Sequence, residues 1–407
     1  MNRSATAALA VSLMWVPAGP AQSALFPTIE KGRYLTTVGD CTACHTAEHG
    51  AVMAGGKAIE TPFGKLVAPN LTPDRETGIG AWTDEQFIQA LQKGIGHRGE
   101  LLYGAFPYTA YTKVKREDLL AIRAYLATLP PVRNKVEANQ LPFPFNVRTS
   151  LYGWNMMFFK EGEYKPDPNK SEQWNRGAYL AEGLAHCGTC HNSKNLLGGD
   201  TSGGHLQGYT LQGWVAPTIT GDAYRGVGAW TNAELVEYLK TGRNRYSAAS
   251  GPMGEVVMHS TQFMRHEDLA AIATYIKSLD AGLEAPKQVD QKTSSMVVGK
   301  ALYADNCSAC HMANGEGVPK LFPSLRNAGA VLAQDPATVL RVVLDGAQAV
   351  ATDAAPTGPS MPSFAWRLDD SQVAAVATYI RNTWDNAAPA VTTQQARAVR
   401  EQLANER

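Results

Sequence analysis

Apolar residues recur at a helical spacing in three separated stretches of this chain. In Lys115–Leu129 they are Leu119, Leu120, Ile122, Tyr125, Leu126 and Leu129. In His266–Leu279 they are Leu269, Ile272, Tyr275, Ile276 and Leu279, and in Asp370–Trp384 they are Val373, Val376, Tyr379, Ile380 and Trp384. A period near 3.6 places these residues on one face of a helix. Each stretch carries Tyr followed by Leu or Ile at the same point. Upstream of each lies a second helical run with an early Gly and an aromatic. The first runs from Lys31-Gly32-Arg33-Tyr34-Leu35 to Cys41, the second from Arg176 to Cys187, and the third from Gly299-Lys300-Ala301-Leu302-Tyr303 to Cys307. A Gly in such a run lets another helix approach its backbone closely. The pattern predicts three small units, each closed by its last helix crossing its first at that Gly.

The first two units repeat in more detail. Val67-Ala68-Pro69-Asn70-Leu71-Thr72 matches Val215-Ala216-Pro217-Thr218-Ile219-Thr220, and Gly80-Ala81-Trp82-Thr83 matches Gly228-Ala229-Trp230-Thr231. Thr83 and Thr231 are N-cap candidates for helices that end at Gly94 and Gly242. The third unit diverges, with a shorter Leu321-Phe322-Pro323-Ser324-Leu325. These features divide the chain into units at 25–132, 173–281 and 294–388. Residues 133–172 and 282–293 are linkers, and 389–407 form a polar C-terminal tail, helical from Thr392. The first linker holds a proline-stiffened Leu141-Pro142-Phe143-Pro144-Phe145. Its Gly153–Phe159 segment is too apolar for a free linker and is expected to pack between units, with a partner-binding surface as the alternative. Val399 and Leu403 give the tail only a thin apolar stripe, a weak basis for membrane anchoring.

The 407 residues leave room for two to four domains, each with its own core. The 37 basic and 37 acidic residues cancel, and no basic run points to nucleic acid. The N-terminus is more informative. Met1-Asn2-Arg3, apolar Ala5–Val16 and small-residue Ala18–Ala24 read as a secretory leader over residues 1–24, cleaved after Ser23 or Ala24. The run is too short to span a bilayer and is followed by Pro17 and Pro20. No other stretch is apolar enough to do so.

The chemistry lies where each unit's first helix ends. Cys41-Thr-Ala-Cys44-His45, Cys187-Gly-Thr-Cys190-His191 and Cys307-Ser-Ala-Cys310-His311 are three copies of Cys-x-x-Cys-His and use all six cysteines. This is the attachment signature of c-type haem: two thiols add to the haem vinyl groups, and the adjacent His reaches the iron. A thioredoxin-like pair or a four-Cys zinc site would not need a His after each pair. The expected fold class is therefore mostly α, with three tandem class I cytochrome c-like haem domains joined by extended linkers. Export fits, because such haems are attached outside the cytoplasm. The proximal His usually donates its other ring N–H to a backbone carbonyl, and Pro69, Pro217 and Pro323 are the candidates here.

A Met opposite the His raises the potential and closes the iron to dioxygen and peroxide. In small c-type domains it lies on the loop before the last helix. Met361 occupies that position in the third unit, and Met253 in the second, with Met258 as the second choice. The first unit has Leu102-Tyr103-Gly104-Ala105-Phe106-Pro107-Tyr108 there, with Phe106 where Met is expected. Its haem is five-coordinate, bis-His through His97, or ligated by a displaced Met53. The remaining His49, His186, His205, His259 and His266 are expected to be solvated or locally hydrogen-bonded.

With these motifs in place, the chain resembles the three-haem cytochrome c subunit of the membrane-bound alcohol, aldehyde, gluconate, sorbitol or fructose dehydrogenases of acetic acid bacteria and related proteobacteria. The resemblance covers essentially the whole mature chain. It rests on the three haem motifs, the Gly-Ala-Trp-Thr repeats, Thr61-Pro62-Phe63-Gly64, Asn70-Leu71-Thr72-Pro73-Asp74, the Leu-Pro-Phe linker and Gly251-Pro252-Met253-Gly254-Glu255-Val256-Val257. It implies an electron relay on the periplasmic side of the cytoplasmic membrane. A separate catalytic subunit with PQQ, flavin or molybdopterin, and a small accessory subunit, would oxidise the substrate. The haems would pass the electrons to ubiquinone. The resemblance maps ligand methionines onto Met253 and Met361, and the family loop Tyr-Pro-Ala-Met-Pro-Tyr onto Tyr103–Tyr108. No nucleotide-, flavin- or quinoprotein-binding domain has room in the chain, and no Gly-rich phosphate loop is present. The chain is thus expected not to be an enzyme on its own. The alternatives are a peroxidase-like haem enzyme or a free-standing cytochrome with an open first haem.

Overall fold

A computed structural model describes residues 20–280, 282 and 286–406. The proposed leader up to residue 19, and parts of the second linker, lie outside the described residues. The described residues are mostly helical, with three two-stranded antiparallel ribbons among them.

The first unit contains α1 (Pro20–Val38), the ribbon β1 (Ala58–Thr61) and β2 (Gly64–Val67), α2 (Asp84–Lys93) and α3 (Arg116–Leu126). Helix α4 (Ser150–Phe158) follows. The second unit contains α5 (Glu172–Tyr179), continued by a short π-helical turn, then β3 (Tyr209–Leu211), β4 (Trp214–Ala216), α6 (Asn232–Thr241), α7 (Gly251–His259) and α8 (His266–Lys277). The third contains α9 (Ser294–Asn306), α10 (Ala337–Asp345), β5 (Ala347–Gln348), β6 (Ser360–Met361) and α11 (Asp370–Arg381). Helix α12 (Thr393–Asn405) ends the chain. Thr83, Thr231, Asp369 and Thr392 start their helices with full capping boxes.

The first and last helices of each unit cross where the sequence places the early Gly. A Cβ added at Gly32 would lie 1.8 Å from the Ala121 carbonyl oxygen, at Gly177 1.9 Å from that of Ala271, and at Gly299 2.2 Å from that of Ala375. Tyr125, Tyr275 and Tyr379 flank these same glycines. Only a residue without a side chain permits backbones this close.

Units one and two share a continuous core, in which Tyr111, Val114 and Leu119 join Tyr179, Leu180 and Leu184. Their interface is an exchange related by approximate two-fold symmetry. The Tyr34 hydroxyl donates to Asp268 at 2.6 Å, and the Tyr179 hydroxyl donates to Asp118 at 2.5 Å. Each hydroxyl also accepts a backbone N–H at 3.2 Å, Tyr34 from Arg265 and Tyr179 from Lys115. Lys31 pairs with Asp118 and Arg176 with Asp268, again at matching positions.

Unit three has a separate core, to which α12 contributes Ala396 and Leu403. The tail helix therefore packs against unit three, where Arg400 binds Asp370 and the Ala365 and Leu368 carbonyls. Unit three docks on unit two through Thr210–Asp335, Val215–Thr338 and Tyr224–Ala387 hydrogen bonds. Helix α4 packs between units one and two by one face only. Tyr108 donates to Asn155, Trp154 donates to the Leu197 carbonyl, and Phe158 lies against Gly199. Its other face leaves Tyr152, Met156 and Met157 exposed, Met156 at 87%. No described helix is long and apolar enough to cross a membrane.

Candidate functional site

Each Cys-x-x-Cys-His motif ends in a short helical turn: Cys41–His45, Gly188–His191 and Ser308–His311. The three His rings are held alike. His45 Nδ1 lies 2.8 Å from the Pro69 carbonyl, His191 Nδ1 2.7 Å from that of Pro217, and His311 Nδ1 3.0 Å from that of Pro323. Such a carbonyl places the proton on Nδ1 and leaves Nε2 as the lone-pair nitrogen. Burial pushes all three imidazoles below their ordinary pKa, with the proline carbonyl opposing. A neutral ring is the form that binds a metal.

A second device recurs, which the sequence repeats do not reveal. The backbone carbonyl of each His accepts from a Gly N–H: His45 from Gly55 at 2.8 Å, His191 from Gly208 at 2.7 Å and His311 from Gly317 at 3.1 Å. All three glycines have positive φ, and a Cβ on any of them would strike the Pro69, Pro217 or Pro323 segment. They fold the loop after each motif onto the strip that holds the His ring. The distance along the chain from His to Gly differs in each unit, so sequence spacing did not single them out.

The cysteines show no sign of redox-pair activation. Burial pushes Cys41 and Cys187 up to about 12 and Cys307 up to about 11, whereas an active dithiol needs a lowered value. Among the described residues no three His, Cys, Asp or Glu side chains gather as a metal cluster. Two unbridged cysteines beside one oriented, neutral His suit covalent haem in all three places.

The loops that precede the last helices of units one and two can be aligned by backbone geometry. In unit one the Leu102 N–H bonds the carbonyl of Gly94, which ends α2, at 2.7 Å. In unit two the Ala249 N–H bonds that of Gly242, which ends α6, at 2.7 Å. Four residues beyond each lie Phe106 and Met253. The two residues thus hold the same register. Met253 is half-buried against Ala249, Val257 and Val350, the last from unit three. Met258 is 43% exposed, and Met264 is buried in the shared core. Met361 packs on the third core and is pinned by the β5–β6 pairing with Ala347. Phe106 meets Tyr111 edge-on at 5.5 Å.

The two other candidates at the first motif lie elsewhere. The Met53 carbonyl accepts the Leu71 N–H at 2.8 Å, which ties it to the Pro69 loop behind His45, and its side chain is buried in the core. His97 is exposed and stacks on Trp82, with its carbonyl bonded by Gln86. That position is more than two helical turns along α2 from Gly94.

Motifs one and two adjoin. His186, expected to bond locally, instead reaches the Gly39 carbonyl at 3.3 Å and meets the Tyr111 ring edge-on. Gly39 also contacts Leu184, Ser260 donates to the Val38 carbonyl, and Lys57 pairs with Glu255 of α7. The segments leading into Cys41 and Cys187 are thereby packed against each other.

The cytochrome c family model matches residues 29–130, 175–280 and 296–384. The gluconate 2-dehydrogenase cytochrome c subunit of Pantoea cypripedii is 36% identical over 385 residues, 90% of this chain and 87% of the relative. The alcohol dehydrogenase (quinone) cytochrome c subunit of Gluconobacter oxydans is 35% identical over 402 residues, 94% and 84%. A nicotinate dehydrogenase subunit of Pseudomonas putida is 41% identical over 372 residues, 89% of this chain, which spans only 31% of that longer protein. With three matched regions, each closing on its own motif, the chain belongs to the cytochrome c family and is an electron-transfer protein with three covalent haems c.

Proposed function

We propose that the chain is the relay subunit of a periplasmic dehydrogenase, taking electrons from a separate catalytic subunit and passing them to membrane ubiquinone. The names of its relatives support a dehydrogenase partner. In this reading Cys41, Cys44, Cys187, Cys190, Cys307 and Cys310 would hold the haems, and His45, His191 and His311 would bind their irons. Met253 and Met361 would complete the second and third sites. Bound haem supplies the one-electron chemistry. The protein holds and shields it. The Pro69, Pro217 and Pro323 carbonyls orient the His rings, burial keeps them neutral, and Val350 of unit three covers the Met253 loop of unit two. The carrying observation is the joining of motifs one and two through His186 and Gly39, which favours transfer between the first two sites. The catalytic partner carries PQQ, flavin or molybdopterin and is accompanied by a small accessory protein.

The test is gentle solubilisation of host membranes and purification through a C-terminal tag. A stoichiometric large chain with one of those cofactors, and reduction of added ubiquinone on supplying its substrate, is the expected result. A cytochrome that comes alone from the soluble fraction sinks the relay reading.

A further inference from the structure

We propose that the chain supplies no sixth ligand to the iron at the first motif, and that this haem binds a small uncharged π-acceptor such as carbon monoxide. The inference rests on the haem reading above and extends it to one site.

The backbone register decides which side chain takes the ligand position. Leu102 and Ala249 make the same bond to the glycines that end α2 and α6, and the fourth residue onward is Phe106 in one unit and Met253 in the other. A phenyl group has no lone pair to offer an iron. Between Gly94 and Thr112 there is no Met or Cys, the one His is His97, and the His186 ring that reaches this region from unit two is tied through Nε2 to the Gly39 carbonyl. The His97 ring stacks on Trp82, toward the opposite end of α2. Met53 is bound by its carbonyl to the Pro69 loop, the same loop whose Pro69 carbonyl holds the His45 ring, and its side chain is buried in the core. The tyrosines near Phe106 are oriented toward other partners. Tyr108 donates to Asn155, the Tyr111 hydroxyl faces the Gly39 carbonyl at 3.5 Å, and the Tyr103 ring lies under the Arg148 guanidinium. Leu102–Thr112 contains no charged residue. The loop brings no charge of its own, and the nearby Arg148 guanidinium is engaged by the Tyr103 ring and the Leu101 carbonyl, which favours a small neutral molecule over an anion. The contrast with Met253 and Met361 makes the first haem the one that differs.

The test uses the full-length protein carrying its haems. Haem is first counted per chain by pyridine haemochrome. The dithionite-reduced protein is then titrated with carbon monoxide, and the ferric protein is examined by electron paramagnetic resonance. The expected result is one carbon monoxide bound per three haems and one high-spin iron per chain. F106M should abolish both. F106L, which fills the same space without a lone pair, should keep both. H97A and M53L should leave the stoichiometry unchanged.

Three low-spin haems and no carbon monoxide uptake would overturn the inference and leave the relay reading intact. The same holds if H97A or M53L creates a high-spin signal that the parent protein lacks, or if F106M binds as the parent does. A count below three haems per chain would overturn both.

Discussion

Tyr34 and Tyr179 occupy the same place, two residues after Gly32 and Gly177, and each sends its hydroxyl to the carboxylate at the start of the other unit's last helix. Asp118 and Asp268 are almost fully buried, so each relies on the tyrosine and on its Lys31 or Arg176 neighbour for compensation. A hydrogen bond to a charged group contributes about 1.5–3 kcal/mol, and removing one partner leaves the carboxylate short. Y34F and Y179F are therefore each expected to lower the unfolding free energy by about that amount, measured by denaturant titration. A change under about 0.5 kcal/mol in both would show that these bonds carry no weight. In the sequence the two acids read only as ordinary first-turn helix residues. What would have marked them is their absence from unit three. There the tyrosine position holds Ala301 and the acid position Gln372, and that unit docks by other contacts.

At the scale of elements, the helix pairs were readable because two sequence signals agree. The apolar stripe and the early Gly of each unit both point to the same crossing, and Gly177 meets Ala271 as that pairing requires. Gly177→Ala is expected to force α5 and α8 apart at a cost of about 3 kcal/mol, seen as a lower thermal midpoint. An unchanged midpoint would mean that the crossing yields easily. The loops were harder to read. Gly55, Gly208 and Gly317 act through backbone geometry, which follows neither the helical period nor a constant spacing. The last helix, α12, was readable as a helix but not as part of the third core. Its face includes small Ala396, and its polar contacts run through Arg400 to Asp370. Leu403 is 6% exposed, and L403A should destabilise unit three by about 2–3 kcal/mol. If hydrogen exchange in α10 and α11 were as slow in L403A as in the parent, α12 would be a mere appendage.

For the whole molecule, the sequence suggests three bodies on linkers, whereas units one and two form one body with a shared core. The difference arises because their interface is tied by buried polar groups as well as apolar ones, and hydrophobic periodicity detects only the latter. Glu182 shows how this tie responds to acid. It receives hydrogen bonds from Lys113 of unit one and from Tyr275 of unit two, and it faces His205 at 2.8 Å. Burial pushes its carboxyl up, but the His205 hydrogen bond and the Lys113 charge outweigh this and hold it at about 2, against an ordinary 4.5. Asp268 is lowered too: burial opposes the shift, and Arg176 and Tyr34 prevail. In the unfolded chain these acids take up protons near their ordinary values, while in the folded chain they resist. Between those values the unfolded state binds more protons, so stability falls as the pH falls and the contribution is gone below about 2. The gap at Glu182 alone corresponds to about 3 kcal/mol. Thermal midpoints of the parent protein should therefore drop steadily from about pH 5 toward pH 2. E182Q removes the titrating group and should be less stable at neutral pH, with a flatter acid slope. Parallel slopes for E182Q and the parent would assign the acid sensitivity to other carboxylates. Convergence of the two curves at low pH would place it at the joint between the first two haem units.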